Sequence, residues 1–202
     1  MEKIFLIDGG HGGVLNGAYQ TAPAKMHDFA HGVIAYEGVT NRIIKDFVIK
    51  HGTNAGLKMI DICPTVLDLP LETRVNYANT LSSLYGVSNC LLISLHSNAG
   101  GGSGFEIFTT RGDTLSDKYA TLFYQRFAAK FPKIKLRPDI QDGDPDKEAD
   151  FYILKNTNCP AILPEWLFFD NLQDYEIIRN EFHQMQYAKM IIEFCEEVNK
   201  LP

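Results

Sequence analysis

The sequence predicts an α/β fold, a three-layer sandwich in which helices cover both faces of a mainly parallel sheet. Short apolar runs alternate with amphipathic segments along the whole chain, as expected of strands that alternate with helices. Residues 90–95 are almost all apolar, which is typical of a strand buried on both faces. The chain has 202 residues, with no repeat or linker composition, so we expect one domain over residues 1–202.

The strands are predicted where short apolar runs end at polar or glycine-rich residues. The first run leads directly into the glycine-rich loop around His11, and the run at 105–108 alternates apolar with polar residues. The predicted strands are 3–7, 57–62, 90–95, 105–108 and 161–163. The stretch between Gly13 and Glu37 is polar and irregular, and we assign no element to it.

The helices are predicted where apolar residues recur at helical spacing. Gly52 supplies a stop for the first helix, while Pro70 opens and Gly86 closes the second. The predicted helices are 37–50, 71–85, 115–131 and most of 172–198.

Composition excludes several classes of protein. The chain is 45% hydrophobic and 22% charged, which is ordinary for a globular protein. Its net charge of -6 argues against a nucleic-acid partner, which requires a basic surface. The first apolar run is too short for a signal peptide and no stretch is long enough to span a bilayer. We therefore expect synthesis in the cytoplasm and no membrane insertion. The four cysteines form no CxxC pair, and we expect them to be buried apolar residues.

Polar side chains occur where predicted strands end and where the first helix begins. His11, His96 and Glu165 each follow a strand, and Glu37 opens the first helix. Loops at the carboxyl ends of parallel strands gather at one edge of the sheet, so these groups are expected to meet. Two histidines and a carboxylate bind catalytic zinc and leave one position open for water. A second carboxylate, here Glu165, then serves as the general base and acid.

Each residue also has a simpler interpretation. The loop around His11 would suit a phosphate, although it matches neither common phosphate-binding motif. His96 taken alone is equally well explained as a core histidine, and Glu37 as favourable charge in a first helical turn. Only their joint placement favours a metal site. Asp8 is a candidate for orienting the His11 imidazole or for capping the loop.

Further candidates are assigned by position. Asn98, Trp166 and Arg137 are predicted to contact substrate. His27 and His31 would line the groove rather than bind metal, and we expect His51 and His183 at the surface.

Five segments resemble the zinc-dependent N-acetylmuramoyl-L-alanine amidases of the amidase 3 family, in the order in which that family has them. Residues 92–99, Leu-Ile-Ser-Leu-His-Ser-Asn-Ala, are similar to its second histidine motif and are the most specific of the five. The other four segments are 7–13 with the first histidine, 36–41 with the metal glutamate, 68–79 with an arginine helix, and 159–165 with the catalytic glutamate. The 68–79 helix is expected to be structural.

The resemblance implies hydrolysis of the amide between N-acetylmuramic acid and L-alanine in peptidoglycan. It implies Zn²⁺ as cofactor, with zinc-bound water attacking the carbonyl and Glu165 as base and acid. The partner would be peptidoglycan or a muramyl peptide. The bacterial cell wall would be reached through a phage or injection-apparatus delivery partner, and recycling of wall fragments in the cytosol is the alternative. Leu167 departs from the family, which has glycine there, and its side chain is expected to narrow or reshape the groove.

Two alternatives stay open at this point. A zinc carboxypeptidase or another amide hydrolase of similar fold would need Arg137 or Arg74 to bind a substrate carboxylate. A catalytically inactive wall-binding module would keep the fold, with or without the metal, but it would have no need of Glu165.

Overall fold

The computed structural model describes residues 2–21 and 25–201 and confirms the α/β sandwich. A six-stranded sheet carries helices on both faces. Its strands are β1 (Ile4–Gly9), β6 (Lys58–Asp61), β7 (Cys90–Asn98), β8 (Glu106–Thr109), β9 (Lys147–Glu148) and β10 (Ala161–Phe168). Two small hairpins fall in the stretch predicted to be irregular, of which residues 22–24 lie outside the described part. They pair β2 (Val14–Leu15) with β3 (Ala18–Tyr19) and β4 (Met26–Asp28) with β5 (Ile34–Tyr36).

The predicted helices are present, but the first continues through Gly52, its predicted stop, and a short helix at 152–156 was not predicted. The helices are α1 (Glu37–Asn54), α2 (Leu71–Tyr85), α3 (Leu115–Lys130), α4 (Tyr152–Asn156), α5 (Leu172–Ile178) and α6 (Glu181–Val198). The helical tail divides at residues 179–180, where the Asn180 side chain accepts a hydrogen bond from the His183 backbone N–H and caps α6. Among the described helices, none has the length and apolar character needed to cross a membrane.

The strand order is β6-β1-β7-β10-β8-β9, and every neighbouring pair is parallel except β10 with β8. Apolar residues on the two faces of the sheet form two separate cores. The larger core lies under α1, α3 and α6, and the smaller one lies under α2 and α4. All four cysteines are buried and free, as predicted.

Four of the strands run further than predicted, and two of these carry site candidates. β7 continues to Asn98 and β10 to Phe168, so His96 and Glu165 lie within strands rather than after them. The prediction ended each strand at its last apolar residue, but ladder hydrogen bonds join backbone groups and continue through polar positions. Both residues still lie near the carboxyl ends of their strands, where the site forms.

Candidate active site

The structure brings His11, Glu37 and His96 together. Their nitrogen and oxygen ligand atoms all lie within 4.8 Å of one another. His96 Nδ1 is 2.9 Å from Glu37 Oε1, and His11 Nε2 is 3.3 Å from Glu37 Oε2. The two imidazole rings are perpendicular, with centroids 4.9 Å apart. This cluster could hold a metal ion.

Two atoms of the cluster support that assignment. His11 Nε2 and Glu37 Oε2 are buried, and neither has a hydrogen-bond partner in the described part of the chain. A buried polar atom without a partner costs free energy, and a cation between the two would satisfy both. Two imidazoles and a carboxylate are also the donor set of open catalytic zinc sites. The residues therefore fit a divalent metal.

Backbone strain positions the first histidine. His11 has φ 65°, a left-handed conformation that is unusual for any residue other than glycine. Its carbonyl oxygen accepts hydrogen bonds from Arg42 Nη2 and, at 3.4 Å, from Arg74 Nη2. The next backbone N–H, that of Gly12, donates to Thr21 Oγ1 over 2.6 Å. These contacts offset the strain and hold the imidazole towards the cluster.

Glycines allow the three supporting segments to approach closely. A Cβ on Gly10 would lie 2.2 Å from His96 Cε1, so the loop lies directly against that ring. A Cβ on Gly38 would lie 2.0 Å from the carbonyl oxygen of Gly12, so α1 begins against the same loop. Any larger side chain at either position would separate the ligands.

Glu37 is the first residue of α1 and is only 1% exposed. Its Oε1 accepts hydrogen bonds from Asn41 Nδ2 at 3.2 Å and from the Ser97 backbone at 3.3 Å. Burial alone would raise the pKa of this carboxyl, but the adjacent His11 and His96 imidazoles outweigh it and hold the pKa well below its usual range. The pKa of His96 is raised, because Glu37 outweighs the opposing effect of burial. Glu37 therefore stays ionised as a ligand must.

Glu165 faces the cluster from the neighbouring strand. It is the Cα partner of His96 in the β7–β10 pair, so both side chains project from the same face of the sheet. Its Oε2 is buried and has no hydrogen-bond partner among the described residues. Burial raises the pKa of Glu165 to about 8. A carboxylate with this proton affinity is suited to accept and return a proton near neutral pH.

Lys25 is a site residue that the sequence did not reveal. Its Nζ lies 3.9 Å from Glu37 Oε2, and its positive charge lowers the pKa of Glu165 against the effect of burial. The residue comes from the polar stretch before α1, where no pattern distinguishes one lysine from another. Tyr19 holds it in place, because its hydroxyl donates to the Lys25 carbonyl over 3.1 Å.

Asp8 contacts Arg74 and Ser94 rather than the His11 ring, so its predicted role in orienting that imidazole is wrong. Its Oδ1 accepts from Arg74 Nη1 at 2.6 Å, and its Oδ2 accepts from Ser94 Oγ at 2.7 Å. The prediction relied on separation along the chain, but the side chain projects on the α2 face of β1. Arg74 then contacts the His11 carbonyl, so Asp8 supports the loop indirectly. Arg74 is buried and structural, and it is not free to bind a substrate carboxylate.

Trp166 cannot contact substrate, and that prediction is wrong. Side chains alternate along a strand, so the residue after Glu165 points to the opposite face. Trp166 is fully buried in the larger core and stacks on Tyr187, with ring centroids 4.6 Å apart. Leu167 is also buried in that core and does not narrow a groove. Its φ of 64°, at the irregularity where β10 leaves register with β7, explains why glycine suits this position.

The predicted substrate contacts Asn98 and Arg137 meet at Glu106, a buried residue that the sequence analysis overlooked. Both donate to the Glu106 carboxylate, Arg137 through Nε at 2.9 Å. Glu106 is the Cα partner of Glu165 in the β8–β10 pair. The available signal was that Glu106 is an acidic residue inside the predicted strand 105–108. The contact of Asn98 and Arg137 with substrate stays a prediction.

The remaining histidines lie outside the cluster. His27 packs edge-on against Phe29, and His51 stacks on Phe47 at the exposed end of α1. His31 lies in an exposed turn, and His183 is half-buried at the start of α6. A cleft of about 330 Å³ opens beside the cluster, lined by His11, His96, Arg74 and residues 68–71 among others.

The fold and the site together define a class: α/β proteins with a His–Glu–His cluster that could hold a metal ion, beside a buried carboxylate at the carboxyl edge of a mainly parallel sheet. The model of the N-acetylmuramoyl-L-alanine amidase family, amidase 3, matches residues 5–197. The chain belongs to this family.

Similar proteins agree with that assignment. The chain is 27% identical over 181 residues to N-acetylmuramoyl-L-alanine amidase CwlM of Bacillus licheniformis, covering 89% of this chain and 62% of that protein. It is 26% identical over 184 residues to an endolysin of Bacillus phage SPP1, covering 90% of this chain and 60% of that protein. The chain thus spans about three fifths of the length of these relatives.

A solved N-acetylmuramoyl-L-alanine amidase from Clostridium difficile 630 shares the fold. The TM-score is 0.78, at 22% sequence identity, with 97% of this chain and 96% of that chain covered.

Proposed function

We propose that this chain is a zinc-dependent N-acetylmuramoyl-L-alanine amidase, which hydrolyses the amide between N-acetylmuramic acid and the first L-alanine of peptidoglycan. The observation that carries the proposal is the pairing of Glu165 with His96 across β7 and β10. This pairing sets an unpartnered carboxylate beside a His–Glu–His cluster, which is the arrangement that metal-assisted amide hydrolysis requires. Membership of the amidase family supports the choice of substrate.

His11, Glu37 and His96 would hold the zinc ion, which when bound supplies a Lewis acid that polarises the scissile carbonyl and acidifies water. Glu165 accepts a proton from the attacking water on its free Oε2 and then delivers it to the nitrogen of the departing alanine. Asn41 and the Ser97 backbone fix Glu37 through its Oε1, which leaves Oε2 directed at His11 and the metal position.

The site of action would be the bacterial cell wall. The relative named as a phage endolysin offers a precedent for delivery during phage lysis, and an injection apparatus is the other route. A delivery partner of either kind belongs to this proposal.

The test is digestion of purified peptidoglycan by the zinc-loaded protein, by the chelated protein and by Glu165→Gln, with products identified by mass spectrometry. We expect peptides with a free amino-terminal L-alanine from the zinc-loaded protein and a loss of at least about 100-fold in rate for Glu165→Gln. Glu176→Gln, which changes an exposed glutamate on α5, serves as the matched control and should keep full activity. Zinc binding without release of alanine-ended peptides would refute the proposal.

A further inference from the structure

A buried carboxylate lies one strand beyond Glu165. Glu106 in β8 is 4% exposed and accepts hydrogen bonds from Asn98 Nδ2, Lys147 Nζ and Arg137 Nε. Burying a carboxylate is costly unless it is paired, and two cations pair with this one. One negative and two positive charges leave the group with a surplus positive charge. We call Glu106, Arg137 and Lys147 the cationic cluster.

Arg137 is held firmly while part of its guanidinium stays free. Its backbone N–H donates to the Phe105 carbonyl over 3.0 Å, and its Cζ lies 5.1 Å from the centroid of the Phe168 ring. The Phe168 ring is itself packed against Gly102, where a Cβ would come within 2.5 Å. Arg137 bonds Glu106 through Nε, and its terminal nitrogens have no hydrogen-bond partner in the described residues. Its side chain is 30% exposed, so this free edge is open to a ligand.

Lys147 adds a second available donor group. Its side chain is 27% exposed, and its Nζ lies 5.9 Å from the centroid of the Phe108 ring. An ammonium carries three N–H donors, and the bond to Glu106 uses one of them. The other two can serve an oxygen atom that approaches from the solvent side.

The distance from the proposed reaction centre follows from the sheet. β7, β10 and β8 are consecutive, and neighbouring strands lie about 4.8 Å apart. Glu106 therefore lies about 5 Å beyond Glu165 and about 10 Å beyond His96 across the sheet. One residue of an extended peptide spans about 3.5 Å. A substrate cut beside Glu165 thus reaches the cationic cluster with a group one to three residues from the cut bond.

We propose that Arg137 and Lys147 bind a free carboxylate on the stem peptide, at the residue that follows the released alanine. This inference rests on the proposed amidase function. That residue is a glutamate joined to its neighbour through the side-chain carboxyl, which leaves its α-carboxylate either free or amidated. A guanidinium edge binds a free carboxylate through two parallel hydrogen bonds and cannot do so with an amide. Because the whole chain carries a net charge of -6, an anionic group needs such a local positive cluster.

The test compares two muramyl tripeptides that differ only in this group, one with glutamate and one with isoglutamine at the second position. Zinc-loaded wild type should cut the free acid with a kcat/KM about 10-fold higher than that for the amide. Arg137→Ala and Lys147→Met should each reduce this preference, mainly through KM. Arg111→Ala removes an arginine of similar charge that pairs with Asp150 on the exposed surface, and it should keep the preference.

The outcomes distinguish failure of the proposed carboxylate site from failure of the proposed amidase function. Equal cleavage of both substrates by wild type would overturn the carboxylate site and leave the amidase function intact. An equal loss on both substrates in Arg137→Ala would also overturn it, because Arg137 would then act only by positioning Glu106. Cleavage of neither tripeptide, together with no release of alanine-ended peptides from purified peptidoglycan, would refute the amidase function and with it this inference. If only the intact wall is cut, the same comparison is made on walls with free and with amidated glutamate, and equal rates overturn the carboxylate site. The comparison of the two substrates uses only the wild-type protein, so it tests the carboxylate site even if a variant fails to fold.

Discussion

Arg74 Nη1 donates to Asp8 Oδ1 over 2.6 Å, and both side chains are almost completely buried. The same guanidinium donates to Asp68 Oδ1 at 2.9 Å and, through Nε, to the Leu69 carbonyl at 3.0 Å. One side chain thus joins α2, the end of β1 and the segment that lines the cleft. The arginine helix of the amidase resemblance is structural for this reason.

Replacing Arg74 is expected to destabilise the protein. Arg74→Ala leaves the Asp8 carboxylate buried without its cation, which should lower the free energy of unfolding by about 3–5 kcal/mol. Denaturant unfolding measures the loss. Arg111→Ala breaks an exposed pair with Asp150 and should leave the midpoint unchanged. A similar midpoint for both variants would show that the buried pair contributes little.

Glu165 should make the stability of the metal-free protein depend on pH. Its pKa is about 8 in the folded chain against an ordinary value of 4.5. The native state therefore holds this proton more tightly than the unfolded state does, and stability decreases as the pH rises from about 4.5 through about 8. In chelator, Glu165→Gln should be more stable than wild type at about pH 9, by on the order of 1 kcal/mol, with the difference almost gone near pH 5. Thermal unfolding at the two pH values measures this, and a gap that is the same at both would contradict it.

Lys25 should affect the pH at which activity rises on the acid side of the pH profile. Its charge lowers the pKa of Glu165, so Lys25→Ala should raise that pKa and move the acid limb of kcat/KM to higher pH. We expect a shift of about 0.3–0.5 pH unit, because Lys25 is partly exposed and screened by solvent. A pH profile of the zinc-loaded enzyme measures it. Lys118→Ala on the exposed side of α3 is the control, and an unmoved limb in Lys25→Ala would exclude the effect.

Gly10→Ala should weaken metal binding. The added methyl would lie 2.2 Å from His96 Cε1, so the ring must move away from its ligand position. We expect a loss of about 10–100-fold in zinc affinity, measured by competition with a chromogenic chelator. Gly17→Ala strains the backbone at φ 79° but has no atom within 4 Å of its new methyl. Equal losses in both variants would show that general destabilisation, not ring displacement, is responsible.

At position 167, truncation to glycine should destabilise the protein less than truncation to alanine, which is the reverse of the usual order. Leu167→Ala loses buried packing and keeps a side chain at φ 64°, whereas Leu167→Gly loses the packing but relieves about 1–2 kcal/mol of backbone strain. We therefore expect the glycine variant to be the more stable of the two. Denaturant unfolding of both decides, and the ordinary order, with alanine the more stable, would show that the conformation is unstrained.

The sequence predicts the order of elements, and it predicts that His11, Glu37, His96 and Glu165 come together, because strands, loops and helix starts leave local signals. It misplaces Trp166 because that residue follows Glu165 directly in the sequence, while only alternation along the strand separates the core face from the site face. No sequence pattern marks Lys25 as a site residue, because its contact with Glu37 depends on how the polar stretch before α1 folds against the site. The contacts of Glu106 join residues 8, 31 and 41 positions away, and only the assembled sheet brings these together.

In the sheet, β8 and β9 are attached to the other strands only through β10. The His–Glu–His cluster comes from β7, the loop after β1 and the start of α1, while the cationic cluster belongs to the β8 edge. Under the two proposals made above, catalysis and substrate choice thus belong to separate sections of the chain, which meet only at the strand bearing Glu165. With this arrangement, substitutions in β8 and β9 could change which stem peptide is accepted without altering the residues of the reaction centre.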